Sequence, residues 1–470
     1  MDLTPIPLFG LSNKSRAPSV TDQERVNLYS EISPDGERGG KITMYCMPGL
    51  TAQSNYGANP CRGAWSHGDF KYYVNRDKLW KEANDGTQTS LGTLLTSGGL
   101  VDMIDNGTQL MIVDGTAGYI LTLATDVFAQ ITDPGFPANP TSVTFLNLRF
   151  VCTFAGTGQY YWSAINDGTS WDALDFATEE SNPDNLVRVI ADNGQLVLFG
   201  EFTTGFAGPT NSDDAAFGRI GAAAIEFGLA ARNSLDKFDQ SLIFLCKSRL
   251  GGVQVCTLSG YTLQVVSNPD IETLLSAYTG IESATGFSFR HEGHSFYQLN
   301  FTAENVSWRF DGRTGDWPKA ESSGGRHRAE LQVNHQNRSY VTDYETGNTY
   351  LFDPDALTDN GATIARQFIG RHLMTGNVSR FAEIWIDMEM GVGTTTGQGV
   401  NPQLMMQVSK DGGKTWGNER WADIGAMGAY RGRATFRRLG RSAESGVWTF
   451  KFRVSDPVNV TFIGAWGRRG

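Results

Sequence analysis

The side chains able to do chemistry in this chain are few and scattered. His291-Glu292-Gly293-His294 sets two imidazoles and a carboxylate close together. Two histidines that grip one metal from a single helix face fall four positions apart, as in HExxH, because a helix turns once in about 3.6 residues. These two fall three apart, in text that reads as strand, turn, strand. The expected role is structural, with Gly293 at a tight turn and an imidazole hydrogen-bonded inside the fold. Glu179-Glu180 and Asp213-Asp214 offer paired carboxylates. Neighbours in a strand point to opposite faces, so neither pair makes an acid/base couple by itself. There is no GxxxxGK[ST] nucleotide loop and no GxSxG with a plausible triad behind it. The five cysteines (Cys46, Cys61, Cys152, Cys246 and Cys256) are odd in number, scattered and without CxxC. They read as small buried hydrophobes, with neither a disulfide framework nor a zinc site. No catalytic residue, metal ligand or cofactor is expected.

One charged cluster has a use. Arg431, Arg433, Arg437, Arg438 and Arg441 crowd a short stretch near the end of the chain. Alternate arginines on a strand form a stripe able to hold phosphate or an acidic protein partner. The plainer reading is a solvated face making ordinary ion pairs. The charge balance is polarised: residues 361–470 carry 15 Lys/Arg against 8 Asp/Glu, whereas residues 1–360 carry 24 against 42. Two regions facing different partners are expected.

The elements that must hold these residues are strands. A chain of 470 residues exceeds one compact core, and 55 glycines with 11% aromatics suggest many short strands joined by tight turns. Residues 1–60, punctuated by prolines, read as an extended arm. From residue 61 to about 355, apolar runs alternate with turn dipeptides. Leu100-Val101-Asp102-Met103-Ile104, Asn106-Gly107 and Gln109-Leu110-Met111-Ile112-Val113 make one such unit, and Val187-Arg188-Val189-Ile190, Asn193-Gly194 and Leu196-Val197-Leu198-Phe199 make another. Asn-Gly takes the positive φ of tight hairpin turns. Repeated units of three or four strands are the signature of propeller blades, since one small sheet cannot bury both faces but a ring of them can. The fold class is therefore all-β: a six- or seven-bladed β-propeller over 61–355 and a C-terminal β-sandwich over 361–470. An Ala-rich stretch at 213–232 suggests an insertion at about 203–235, and 271–278 reads as a short helix capped from Asn268-Pro269-Asp270. No apolar run is long enough to span a membrane, and the first residues do not read as a signal peptide, so synthesis and folding in a reducing cytoplasm are expected.

Ser409-Lys410-Asp411-Gly412-Gly413-Lys414-Thr415-Trp416 resembles the Asp-box of sialidases and related propellers, where it folds a hairpin rather than catalysing. A sialidase would need repeated copies, an arginine triad and a Tyr/Glu nucleophile pair, and only one copy occurs. A wider resemblance covers about 228–361. It is carried by Glu292-Gly293-His294-Ser295-Phe296-Tyr297-Gln298-Leu299, Trp308-Arg309-Phe310-Asp311, Thr314-Gly315-Asp316-Trp317, Arg326-His327-Arg328-Ala329 and Tyr344-Glu345-Thr346-Gly347-Asn348-Thr349-Tyr350-Leu351-Phe352-Asp353, with a fainter echo at Val26-Asn27-Leu28-Tyr29. This text resembles the packaged-DNA stabilisation proteins, the tail hubs or nozzles, of short-tailed bacteriophages. Pro318-Lys319-Ala320 departs from the His, Glu and Arg usual there after the Trp. The resemblance implies a structural, non-enzymatic virion tail protein, assembled in the host cytoplasm. It would form a ring, a hexamer, on the head-to-tail adaptor ring, carry contacts for tail fibre, spike or needle proteins, and surround DNA without sequence-specific binding. It would close the channel after packaging and guide DNA during ejection. The acidic balance of residues 1–360 would suit a repulsive lumen, which leaves the arginines for protein docking. The alternative reading is a carbohydrate-binding or glycosidase-like β-propeller.

Overall fold

The tight turns of the sequence set the register of the sheets they join. Asn193 and Gly194 both take positive φ, 48° and 77°, between the paired strands Leu186–Asp192 and Gln195–Gly200. This primed geometry matches the twist of the flanking strands. Such hairpins build seven blades, four strands deep with the inner strand of blade 5 split in two, in a computed structural model that describes all residues except 1–3, 15–21, 33–41, 180–183, 211, 213–214, 222–223, 444–445 and 470. Blade 1 runs from its inner strand Cys61–His67 through Phe70–Asn75 and Lys78–Ala83 to its outer strand Gln88–Thr93. Blades 2 to 6 follow at 102–130, 140–178, 186–219, 228–265 and 285–322. Blade 7 takes Ala329–His335, Arg338–Asp343 and Asn348–Asp353 from the end of the wheel. Its outer strand, Gly49–Asn55, comes from the start of the chain. Inner strands touch their neighbours around the ring, that of blade 1 meeting those of blades 2 and 7. Each gap between blades holds its own apolar cluster, so every sheet buries both faces.

The last hundred residues form two packed sheets. One contains Arg380–Met388, Ala434–Arg441 and Phe462–Arg469; the other contains Arg366–Ile369, Val447–Val454, Gln403–Ser409 and Arg420–Asp423. Between them lie Trp448, Phe450, Phe452 and Phe462, all fully buried.

The described residues among the first sixty, expected as an extended arm, add strands to both domains. Leu28–Ile32 and Ile42–Cys46 extend the first sandwich sheet, and Arg25–Val26 joins the second. Ile6, Leu8, Leu28 and Met44 share the sandwich core. Arg25–Val26 also pairs in parallel with Lys319–Ser322, so one sheet runs without a break from blade 6 into the sandwich. The physical reason is that polar, proline-broken text still has backbone groups to satisfy, and two domains with open sheet edges offer partners for them.

The stretch expected as an insertion is not one. Thr204–Pro209 and Phe217–Arg219 finish blade 4, while Gly228–Leu229 and Asp236–Phe238 begin blade 5 around a short 3-10 turn at Arg232–Ser234. Alanine and glycine fit there because the inner strand runs close to its neighbour: a Cβ on Gly228 would lie 2.3 Å from Phe202 N. Ala222, Ala223, Asp213 and Asp214 lie outside the described residues, as does Glu180. The short helix spans Pro269–Ala277, with the Asn268 side chain accepting from Ile271 N. Cysteine use also differs from expectation. Cys246 and Cys256 form a disulfide across the hairpin of blade 5, and Cys46, Cys61 and Cys152 remain thiols. Strands Ser241–Lys247 and Val253–Ser259 pair Phe244 with Cys256 and Cys246 with Gln254, which sets the two cysteines diagonally on one face. No helix among the described residues is long and apolar enough to cross a membrane.

Candidate functional site

The axis of a propeller is its usual pocket, and here it is a braced cavity. A space of about 410 Å³ is lined by inner-strand residues of all seven blades, among them Trp65, Asp102, Thr144, Arg188, Asp236 and Gln332. Arg188 of blade 4 reaches Asp102 of blade 2 at 3.2 Å and donates to the carbonyls of Arg232 and Leu235. Asp102 also accepts from Ser142 Oγ and Val143 N. Arg232 in turn donates to the carbonyls of Thr141 and Leu100. These links bind four blades across the wheel. A duplex whose major groove alone is about 12 Å wide does not fit such a space. Burial pushes the Asp236 carboxyl above the usual carboxylate range, although it accepts from Ser288 N and Lys237 N. A signal for this brace was in the sequence: Asp102 and Arg188 are charges set inside apolar runs.

The arginine cluster lies far from that axis, on the edge strand Ala434–Arg441 of the sandwich and the loop before it. Arg431, Arg433, Arg437, Arg438 and Arg441 are all exposed. They do not alternate along a strand. Arg431 and Arg433 precede the strand, and Arg437 and Arg438 are neighbours. Both of these face solvent because Arg438 takes a positive φ of 58° at a bulge, where the pairing with Arg380–Met388 slips. Arg433 lies 3.9 Å over the ring of Trp385, which stacks on Trp466 with centroids 5.7 Å apart. Arg437 and Arg468 share Glu383 at 3.4 and 2.9 Å. Arg420, from the edge strand of the other sheet, donates to the carbonyls of Arg437 and Arg438. Trp421, Met427 and Tyr430 stand exposed beside them at 59%, 59% and 73%. Arginine, tryptophan, tyrosine and methionine together are the composition of protein-binding surfaces.

The histidine motif is a hairpin. His291 pairs directly with His294 across a turn in which Glu292 and Gly293 both have positive φ. His294 is buried, with Nδ1 2.9 Å from Asp311 Oδ2, and its ring packs against Tyr29 of the N-terminal segment. The Asp411 carboxylate of the box-like loop is engaged by its own turn, accepting from Ser409 Oγ, Thr415 N and Thr415 Oγ1, which holds its pKa down to about 2.

A lock that the sequence text concealed joins the N-terminal segment to blade 6. Arg25 and Asp316 pair at 2.8 Å with side chains only 2% and 1% exposed. Arg25 also donates to Gly10 O at 2.6 Å, and Asp316 accepts from Ser12 N at 2.7 Å. Arg309 is also buried in blade 6, donating to Gln298, and burial pulls its pKa down to about 9.

Comparison with known proteins covers nearly the whole chain. A family model described as bacteriophage P22 Gp10, beta-propeller, matches residues 4–357, and one described as bacteriophage P22 Gp10, beta-sandwich, matches residues 365–466. No curated protein matches the sequence. Among solved structures, the extracellular domain of the putative one component system BT4673 from B. thetaiotaomicron is similar at 9% identity and TM-score 0.44, over 80% of this chain and 47% of that one. This chain thus spans about half the length of that protein. The Neurospora crassa Pan2 WD40 domain is similar at 8% identity and TM-score 0.42, over 65% of this chain and 94% of that domain. The computationally designed Ika8 protein is similar at 10% identity and TM-score 0.39, over 70% of this chain and all of that one.

Proposed function

Because this chain belongs to the family of bacteriophage P22 Gp10, a structural phage tail protein, we propose that it is a tail hub or nozzle. Copies form a ring, a hexamer, below the head-to-tail adaptor ring. The ring closes the DNA channel after packaging, guides DNA during ejection and carries tail fibre, spike or needle proteins. No catalysis or cofactor is needed for this work. The family match along both domains carries the reading. The braced axis adds a constraint on where DNA runs: each wheel is tied across its centre by Arg188 and Asp102, so the conduit is the space enclosed between copies. The excess acid of residues 1–360 suits a wall that repels phosphate and lets DNA slide.

The test is a phage in which this chain is removed. Heads filled without it are expected to lose their DNA on purification, and purified chain added to freshly filled heads is expected to retain it. Heads that keep their DNA equally well without the chain would contradict the proposed closure.

A further inference from the structure

We propose that the arginine–aromatic edge of the sandwich docks on the outer edge of blade 3 in the next copy of this chain, an inference that rests on the ring reading above. Blade 3 ends in Asp167–Thr178, a 12-residue strand lying outermost in its sheet. Its pairing with Gln159–Ala164 opens where Tyr161 faces Phe176 but Ser163 faces Trp171, so residues 172–175 bow outward. Leu174 there is 79% exposed, with Phe176, Ile165 and Leu148 exposed in the same blade. Asp172 and Asp175 of the bowed segment, Asp133 from the preceding connection and Arg149 of the same blade line an open groove of about 610 Å³, in which acid outnumbers base. Exposed apolar side chains rimming a polar groove mark a binding surface.

The sandwich edge is its complement. Arg431, Arg433, Arg437 and Arg438 project beside exposed Trp421 and Tyr430, and the one acid paired with them among the described residues, Glu383, is shared between Arg437 and Arg468. Arginine forks suit carboxylates, and the apolar rims cover one another. Placement in the fold supports the pairing. The sandwich is joined to blade 6 by a continuous sheet, and blade 3 stands three blades away around the wheel. Two different patches at opposite ends of one subunit make a head-to-tail contact, which closes into a ring when its rotation allows.

The experiment uses the purified full-length chain and sedimentation velocity. One variant carries Arg437→Glu with Arg438→Glu; a second carries Asp172→Arg with Asp175→Arg. Each is expected to keep the wild-type circular dichroism and to associate at least about tenfold more weakly, because like charges then face each other. An equimolar mixture of the two is expected to reassemble, since reversed arginines then meet reversed aspartates and the remaining contacts are native. Such rescue does not arise if the arginines dock on a different acidic protein. Wild-type rings with variants that associate normally, or defective variants whose mixture stays apart, would overturn this docking and leave the hub reading standing. A wild-type chain that stays monomeric at every concentration tested would overturn both.

Discussion

Removing the carboxylate of Asp316 should cost the molecule much of its stability. The Asp316→Ala change leaves the Arg25 guanidinium buried, with Gly10 O and the Ser30 hydroxyl as remaining partners, and orphans Ser12 N. Breaking a buried pair by deleting one partner costs about 3–5 kcal/mol, and the half-buried Ser12 N–H left without its acceptor adds at most about 1 kcal/mol. Against a typical stability of about 5–15 kcal/mol, that loss is large. Arg25→Met leaves the opposite charge stranded and should cost a similar amount. The double variant Arg25→Met, Asp316→Leu strands neither charge, so it should be more stable than the two single losses added together by about 2 kcal/mol or more. Urea unfolding followed by tryptophan fluorescence reads this directly, because Trp317 is 1% exposed beside the lock. A single variant that loses less than about 1 kcal/mol, or a double variant whose loss equals the sum of the singles, would refute the lock.

Other consequences follow from the same geometry. Leu50→Ala, in the strand that closes blade 7, empties a site now 1% exposed and should cost about 2–5 kcal/mol in urea unfolding; a loss below about 1 kcal/mol would mean that the closing strand does not hold the wheel. Burial, and after it the nearby charges of Arg309, Arg326 and Arg328, hold the His327 pKa well below the usual histidine range. The unfolded chain therefore takes up the proton first, and stability falls as pH drops below about 6.5, by up to about 1.4 kcal/mol per pH unit. His327→Gln should reduce that slope between pH 7 and 5. Burial also lowers His291 and His335, so a smaller slope should remain, and an unchanged slope would show that His327 does not carry it. Thiol titration of the denatured, unreduced chain should count three thiols, with Cys246 and Cys256 bonded to each other; five would contradict that bond.

Much of the wheel was legible because its information is local. Asn193-Gly194 fixes a hairpin within a few residues, and Asn268 with Pro269 announces the only α-helix among the described residues. What stayed hidden depends on contacts distant in sequence. Gly49–Asn55 shows no sign that it will pair with Asn348–Asp353, and Arg25 shows no sign of Asp316. Such pairings follow from which sheet edges the fold leaves open, not from the pattern of either segment. The arginine cluster was visible as a composition, but its outward display depends on the bulge at Arg438, which a strict two-residue period does not foresee. The outer strands of blade 4 and the start of blade 5 read as an insertion because glycines interrupt Thr204–Pro209 and Phe217–Arg219 and alanines surround them, where close sheet packing overrides propensity.

Cryo-electron microscopy of the tail from a DNA-filled particle puts this reading to its most direct test. Expected is a closed ring of this chain with the duplex running through the space between copies, and no duplex along the axis of any one wheel. Isolated copies away from the DNA path, or a duplex threaded through a single propeller, would contradict it.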